Sequence, residues 1–373
     1  MPSISKSMRT GRRDLLCGLA QAVAGLCPAA AQEASPPQVP NYSVGVEVVQ
    51  VLASVRDPRG AIVKDLTRED FLLREDGREQ TIRYFARETD LPLTIGLLVD
   101  TTPSESNMLS EERKASMAFL ERMLRPEKDK AFLIQYHSEI ELLQDLTSSR
   151  AKLEAAMNRL EAHGMAGMRG SRGGGGPTGG PGSARPGMNP TALSDAVYLA
   201  SEEVLKTQSG RKTLLVLGDG GHLGDRGEQA IAAALEADAL IYSIRIYDKN
   251  FAAGGGPRIP TGRIPGMGGP GRRPGTGPSG RGAPGVNDHA QGKENLQKLS
   301  SRTGGGYFEV GKKETLDRIY AQIEEELRSQ YSLGYTPEGP AGEGYRRIQV
   351  AVRRSGLSVK SREGYYSRRR EAR

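Results

Sequence analysis

The sequence predicts an α/β fold: a doubly wound, mostly parallel sheet with helices on both faces, flanked by a small β-sandwich-like module built from N- and C-terminal segments. Three observations predict it. Between residues 91 and 330, short runs that are apolar on both faces alternate with amphipathic stretches, the pattern of a parallel sheet covered on both sides. Valine-rich, partly alternating segments punctuated by turn residues stand before and after that region. Two stretches keep apolar residues at i, i+3, i+4, i+7 and i+11, as amphipathic helices do: Leu193, Ala196, Val197, Ala200, Val204, and Leu316, Ile319, Tyr320, Ile323, Leu327.

Residues 1–31 read as a signal peptide. Arg9, Arg12 and Arg13 precede an apolar run from Leu15 to Leu26, and Ala29, Ala30 and Ala31 supply a small-residue cleavage site before Gln32. The apolar run is too short for a membrane anchor, which needs about 20 residues. Gly11-Arg12-Arg13-Asp14-Leu15-Leu16 resembles a twin-arginine export signal, with an ordinary secretory signal as the alternative. The chain is therefore expected to be exported, to the periplasm, cell envelope or exterior, with no membrane span in its mature form.

Residues 32–90 form the N-terminal β segment. Tyr42 to Arg56 predicts a strand, Asp57-Pro58-Arg59-Gly60 a turn, and Leu66 to Phe71 a short capped connection. Phe71 to Arg74 and Gln80 to Ala86 follow as strands, joined through Glu75-Asp76-Gly77, whose Asp-Gly pair signals a tight hairpin.

Residues 91–330 carry the α/β alternation. Strands are predicted at Thr94 to Val99, Ala131 to Tyr136, Glu139 to Leu143, Thr213 to Leu217, Leu240 to Ile246 and Tyr307 to Val310. Helices are predicted at Ser110 to Leu124, Ser149 to His163, Thr191 to Lys206, Gly227 to Ala237, Ala290 to Ser301 and Glu314 to Gln330. Tyr136-His137-Ser138-Glu139 is short enough for a hairpin, which would make one edge strand antiparallel. Residues 331–367 return to β structure, with strands at Tyr331 to Tyr335, Arg346 to Arg353 and Leu357 to Arg362, and residues 368–373 are a charged tail. Each β segment alone would have a thin core. They are expected to pair into one module into which the α/β domain is inserted.

Two glycine-rich loops, 164–188 and 252–287, hold 24 of the 48 glycines and 10 of the 22 prolines. Such composition buries too little apolar surface to order itself. These loops also explain the basic charge. The formal net charge is +7, and the leader accounts for three of it through Lys6, Arg9, Arg12 and Arg13 against Asp14. The loops carry eight arginines and no acid, so the remainder of the mature chain is at −4. A basic balance confined to low-complexity loops, with six Phe and no Trp, does not describe a nucleic-acid-binding surface. Both cysteines, Cys17 and Cys27, lie in the leader, and Leu26 is a poor fit to a lipoprotein signal. The mature chain is thus expected to have no disulfide, thiolate metal site or cysteine nucleophile.

Ligands of open parallel sheets bind beyond the carboxyl ends of the strands. Three polar clusters are predicted there: Asp100-Thr101-Thr102-Pro103-Ser104, Pro190-Thr191, and Gly218-Asp219-Gly220. Each alone reads as a turn or helix cap. Together they make an oxygen-only donor set without thiol or imidazole, suited to a hard cation such as Mg²⁺, Mn²⁺ or Ca²⁺. His222 and Asp225 lie near the third cluster and read as solvated loop residues; Tyr365 and Tyr366 read as packing in the β module.

On these residues the chain resembles the von Willebrand factor A domain with its metal-ion-dependent adhesion site. That family has Asp-x-Ser-x-Ser after the first strand, a threonine in a second loop and an aspartate before glycine in a third. Asp100, Thr102 and Ser104 match the first element, Thr191 in PTALSDAV the second, and Asp219 the third. Thr102 stands where serine is usual, and Pro103 where small residues are common. The resemblance implies that hydroxyls bind the ion directly, that aspartates bind it directly or through water, and that a partner's carboxylate completes the shell. LTREDFLLREDGREQTI (66–82), LRSQYSLGYTP (327–337) and GYYS (364–367) further resemble exported bacterial proteins called VWFA-related.

Catalytic signatures are missing from the sequence. His137, His163, His222 and His289 lack metal-ligand spacing, and neither a Gly-x-Ser-x-Gly elbow nor a Gly-x-x-x-x-Gly-Lys-[Ser/Thr] loop occurs. The expectation is a non-enzymatic, exported module that engages a protein partner's acidic side chain through a divalent cation at Asp100, Thr102, Ser104, Thr191 and Asp219. The alternative is a structural cell-envelope interaction protein with a vestigial metal site.

Overall fold

Six strands form the central sheet in the order β10-β9-β8-β5-β6-β7, built from β5 (Leu93–Asp100), β6 (Lys130–Tyr136), β7 (Ile140–Thr147), β8 (Arg211–Gly218), β9 (Ala239–Arg245) and β10 (Tyr307–Glu309). The computed structural model describes residues 48–87, 91–102, 108–137, 139–160, 191–221, 223–246, 286–338 and 343–367. The expected leader, the first glycine-rich loop, the second up to residue 285, and the charged tail lie outside the described residues. Val286 and Asn287, expected in the second loop, instead open a helix.

Four of the five strand pairings are parallel, and β6 pairs with β7 antiparallel. The short link after Tyr136 closes as a hairpin, with the His137 N–H donating to the Glu139 carbonyl at 3.0 Å. Every residue of β5, β8 and β9 is buried. That explains why those strands read as continuous apolar runs without alternation.

Two apolar layers cover the sheet. On one face, odd-numbered residues of β5 (Leu93, Ile95, Leu97, Val99) meet α1 (Leu109–Met123), α2 (Arg150–Met157) and α6 (Leu316–Leu327). On the other, Leu98, Leu214 and Val216 meet α3 (Ala192–Leu199), α4 (Gly227–Glu236) and α5 (Val286–Thr303). The helix predicted from Thr191 to Lys206 does not stay regular. It continues from α3 through a π-type turn over Ala200–Leu205, in which the Lys206 N–H reaches back to Ser201 at 2.9 Å. The helix predicted to open at Glu314 starts later, because the Thr315 hydroxyl caps it by accepting from the Arg318 N–H at 3.4 Å.

Strands from the two ends of the chain interleave in two further antiparallel sheets. One has the order β13-β1-β11-β4, from β1 (Val49–Arg56), β4 (Ile82–Arg87), β11 (Tyr331–Tyr335) and β13 (Ser358–Ser361). The other has the order β14-β12-β2-β3, from β2 (Phe71–Glu75), β3 (Arg78–Gln80), β12 (Gly344–Val352) and β14 (Gly364–Ser367). A single apolar cluster draws on both, including Val51, Val55, Phe71, Leu73, Tyr331, Leu333, Tyr335, Ile348 and Tyr365. The strand predicted from Gln80 to Ala86 is broken at Thr81, and its two parts pair with different partners, β3 with β2 and β4 with β11. Gln80 is buried at the break, its side-chain oxygen accepting from the Glu338 N–H at 3.1 Å.

Candidate metal centre

The strand order places the candidate residues before any side chain is considered. From β5 the chain moves outward to β6 and β7, then returns to lay β8 on the opposite side of β5, with β9 and β10 beyond. The boundary between β5 and β8 is therefore the topological switch point, where crossovers diverge and leave a crevice at the carboxyl edge. The pairing register sets Val99 opposite Leu217, so Asp100 lies level with Gly218, and Asp219 follows one residue later at that crevice.

Asp100 is 4% exposed. Its carboxylate accepts from the Thr102 N–H at 2.8 Å and from the Thr102 hydroxyl. Burial, then the nearby Asp219 carboxylate, push its pKa from 3.8 up to about 7. A buried acid under the influence of a second carboxylate favours whatever brings positive charge to it, a proton or a cation. Gly218 makes the approach possible, since a Cβ there would lie 2.6 Å from the Asp100 Cβ and 2.9 Å from the Tyr136 hydroxyl oxygen.

Thr191 stands immediately before α3, and its Cγ2 would lie 2.8 Å from a Cβ placed on Gly224. The second polar cluster thus lies against the turn that follows the third. The Thr191 hydroxyl donates to Asp195 Oδ2 at 2.9 Å, and Asp195 in turn holds Arg226 at 2.8 Å. A hydroxyl that has given its proton away keeps its lone pairs for an electrophile. The same holds for Thr102, whose proton goes to Asp100. Asp219 accepts from the Gly221 N–H at 3.1 Å, and the turn behind it is pressed against α5, where Asn295 donates to the Gly221 carbonyl at 2.7 Å. Close backbone packing requires glycine on both sides: a Cβ on Gly220 would lie 2.1 Å from the Gly292 carbonyl oxygen.

Asp100, Thr102, Thr191 and Asp219 are therefore found at one edge of one sheet. Ser104 lies outside the described residues, as does His222; Asp225 falls in the short turn Gly224–Arg226. Among the described residues no three His, Cys, Asp or Glu side chains converge as a ready-made shell, so carboxylates alone do not complete the site. The donor set that remains is all oxygen, with hydroxyl protons already committed elsewhere, and this fits a hard divalent cation.

No protein-family model and no curated protein matches the sequence. Among solved structures the chain is similar to a von Willebrand factor type A protein from Catenulispora acidiphila, at 10% identity over 85% of this chain and 73% of that one, with a TM-score of 0.43. It is also similar to the conserved hypothetical protein BatB from Bacteroides thetaiotaomicron, at 14% identity over 64% of this chain and 100% of that one, TM-score 0.40. A third is proximal thread matrix protein 1 from the mussel byssus, solved with a zinc-occupied MIDAS motif, at 10% identity over 69% of this chain and 50% of that one, TM-score 0.40. Likenesses this distant concern fold alone and assign no chemistry here.

One buried acid near the site escapes motif reading. Glu112, in the first turn of α1, is 2% exposed and its Oε1 has no hydrogen-bond partner. A signal for it does exist in the sequence: Leu109, Glu112, Ser116, Phe119 and Met123 follow helical spacing, so an acid occupies a core position of the stripe.

Proposed function

We propose that this chain is an exported, non-enzymatic binding module of the von Willebrand factor A type, holding a divalent cation at Asp100, Thr102, Ser104, Thr191 and Asp219. The cation, Mg²⁺ in the first instance and Mn²⁺ or Ca²⁺ as substitutes, would supply positive charge between the aspartates and an open position for an acidic side chain of a protein partner. The observation that carries this reading is the burial of Asp100 against Gly218 at the switch point of the sheet, one residue before Asp219, with Thr191 against the turn that follows. The protein's own residues position and bind. Asp100 and Asp219 provide charge, Thr102 and Thr191 provide neutral oxygens, and the buried strands hold all four in place.

In this reading the α/β domain, residues 91–330, is inserted in a sandwich-like module made by residues 32–90 and 331–367. The interleaved pairing of β1 with β11 and of β2 with β12 supports that arrangement. The arginine-bearing glycine-rich loops, by their sequence position beside the site, would attract anionic partners. Among the described residues no helix is long and apolar enough to cross a membrane.

Titration calorimetry tests the reading. Mg²⁺ or Mn²⁺ should bind in the micromolar to millimolar range, and Asp100→Ala should abolish the binding. Unchanged binding in that variant overturns the assignment. Capture of a partner from envelope extract should then be lost in EDTA.

A further inference from the structure

Thr191 stands where a helix cap belongs and does not cap. A threonine there ordinarily accepts from a backbone N–H in the first turn of the helix it opens. The Thr191 hydroxyl makes no such bond, and its backbone, at φ −110° and ψ 8°, is not extended. The hydroxyl proton goes one turn forward instead, to Asp195 Oδ2 at 2.9 Å. The Asp195 N–H donates back to the Thr191 carbonyl at 2.9 Å, so the two residues are tied twice across that turn. The second oxygen of Asp195 is committed as well, accepting from Arg226 at 2.8 Å. Arg226 is kept within reach by the residue before Asp195. The fully buried Ser194 hydroxyl donates to the Leu223 carbonyl and pins the turn Gly224–Arg226 to α3.

We infer that Asp195 is a positioning residue of the cation site, holding the Thr191 hydroxyl with its proton turned away so that its oxygen is offered to the ion, while Arg226 keeps Asp195 from turning to ligate the ion itself. The inference rests on the reading of Asp100, Thr191 and Asp219 as a cation site. A rotating hydroxyl presents either its proton or a lone pair, and a cation is repelled by the first. An acceptor on the far side fixes that choice before the ion arrives, as outer partners do for metal ligands in general. A competing account needs no ion, since an acid near the start of a helix is favourable through the helix dipole alone. That account makes no use of the Thr191 hydroxyl, and there the two part.

The test is a double-mutant cycle on metal binding. Mn²⁺ affinity is measured by calorimetry in the wild-type protein, Asp195→Asn, Thr191→Val and the double variant. Asparagine keeps the shape of Asp195 and reverses its polarity: Arg226 has only donors to offer, so it holds the amide oxygen and turns the amide N–H toward the Thr191 oxygen. Asp195→Asn should weaken Mn²⁺ roughly tenfold. Once Thr191→Val has removed the hydroxyl, the same change should matter by less than about twofold, because the two residues act as one unit. An equal loss in both backgrounds means that Asp195 acts through its charge or the helix, and overturns the inference, as does unchanged affinity in Asp195→Asn. If Thr191→Val binds Mn²⁺ too weakly to titrate, Tb³⁺ replaces it, and luminescence decay in H₂O and D₂O counts the waters on the ion. Asp195→Asn, Thr191→Val and the double variant should then admit the same additional water, and a wild-type count in Asp195→Asn overturns the inference. Thermal unfolding without metal is the control for folding. If Asp195→Asn melts lower than wild type, Asp195→Ala, which also lacks the acceptor and suits a helix, takes its place. Retention of Mn²⁺ by Asp100→Ala would instead remove the cation site itself, a failure distinct from that of Asp195.

Discussion

At the scale of single residues, the candidate site depends on one absent side chain as much as on the acids present. Gly218→Ala would set a methyl 2.6 Å from the Asp100 Cβ. Overpacking of this kind costs about 1–3 kcal/mol, and here it would also push Asp100 away from Asp219. Divalent affinity should fall with stability, which calorimetry and urea unfolding together would show. The acids themselves predict a pH dependence. Asp100 and Glu112 bind protons more tightly folded, at about 7 and about 8, than their ordinary values of 3.8 and 4.5. The folded state therefore holds more protons, and stability must fall as pH rises between those limits. Metal-free protein should accordingly melt at progressively lower temperature from about pH 4 to about pH 8, and saturating Mg²⁺ should flatten the decline. A flat profile without metal would mean that these carboxyls are not held out of water in the folded state. The three polar clusters were legible in sequence as motif and order. Glu112 was legible only as an acid on an apolar stripe, because its consequence depends on which strand end the stripe covers.

Among elements, α6 is the joint between the central sheet and the β strands contributed by the chain ends. Glu326 near its end is fully buried and accepts from the Tyr242 hydroxyl at 2.9 Å on β9. It also pairs with Arg56 of β1 at 2.9 Å and with Lys360 of β13 at 3.1 Å. These cations hold its carboxyl below the usual carboxylate range in spite of burial. Removing one partner from a buried pair leaves charge without compensation. Glu326→Ala should cost about 3 kcal/mol, toward the low end for such pairs because Arg56 and Lys360 are partly exposed and regain water. Urea unfolding measures it, and a cost under about 0.5 kcal/mol, the level of a surface pair, would contradict the role. Periodicity made α6 predictable, since Leu316, Ile319, Tyr320, Ile323 and Leu327 are all buried. It could not assign Glu326, which reads as one of three consecutive acids on a solvated face.

For the whole molecule, the interleaving of the chain ends ties folding to the last described strands. A chain ended at Gln330 would lose β11 from between β1 and β4, and both β12 and β14 from the second sheet. Val51, Val55, Phe71 and Leu73 would lose the apolar partners Leu333, Tyr335 and Ile348. Such a chain should unfold without a cooperative transition and be cut rapidly by protease near residues 49–87, whereas the full chain resists; limited proteolysis with calorimetry decides. The sequence by itself determined the α/β class, the order of nearly all elements and the oxygen-only character of the candidate site. Those follow from periodicities of about 2 and 3.6 residues and from donor chemistry, which are local. Only the tertiary structure decided that Asp100 is buried against Gly218 at the switch point, that Gly218 must stay bare, that β3 and β4 part company at Thr81, and that Glu112 and Glu326 are interior acids. Each of these depends on which distant segment lies alongside, and therefore on burial and charge proximity that no local pattern encodes.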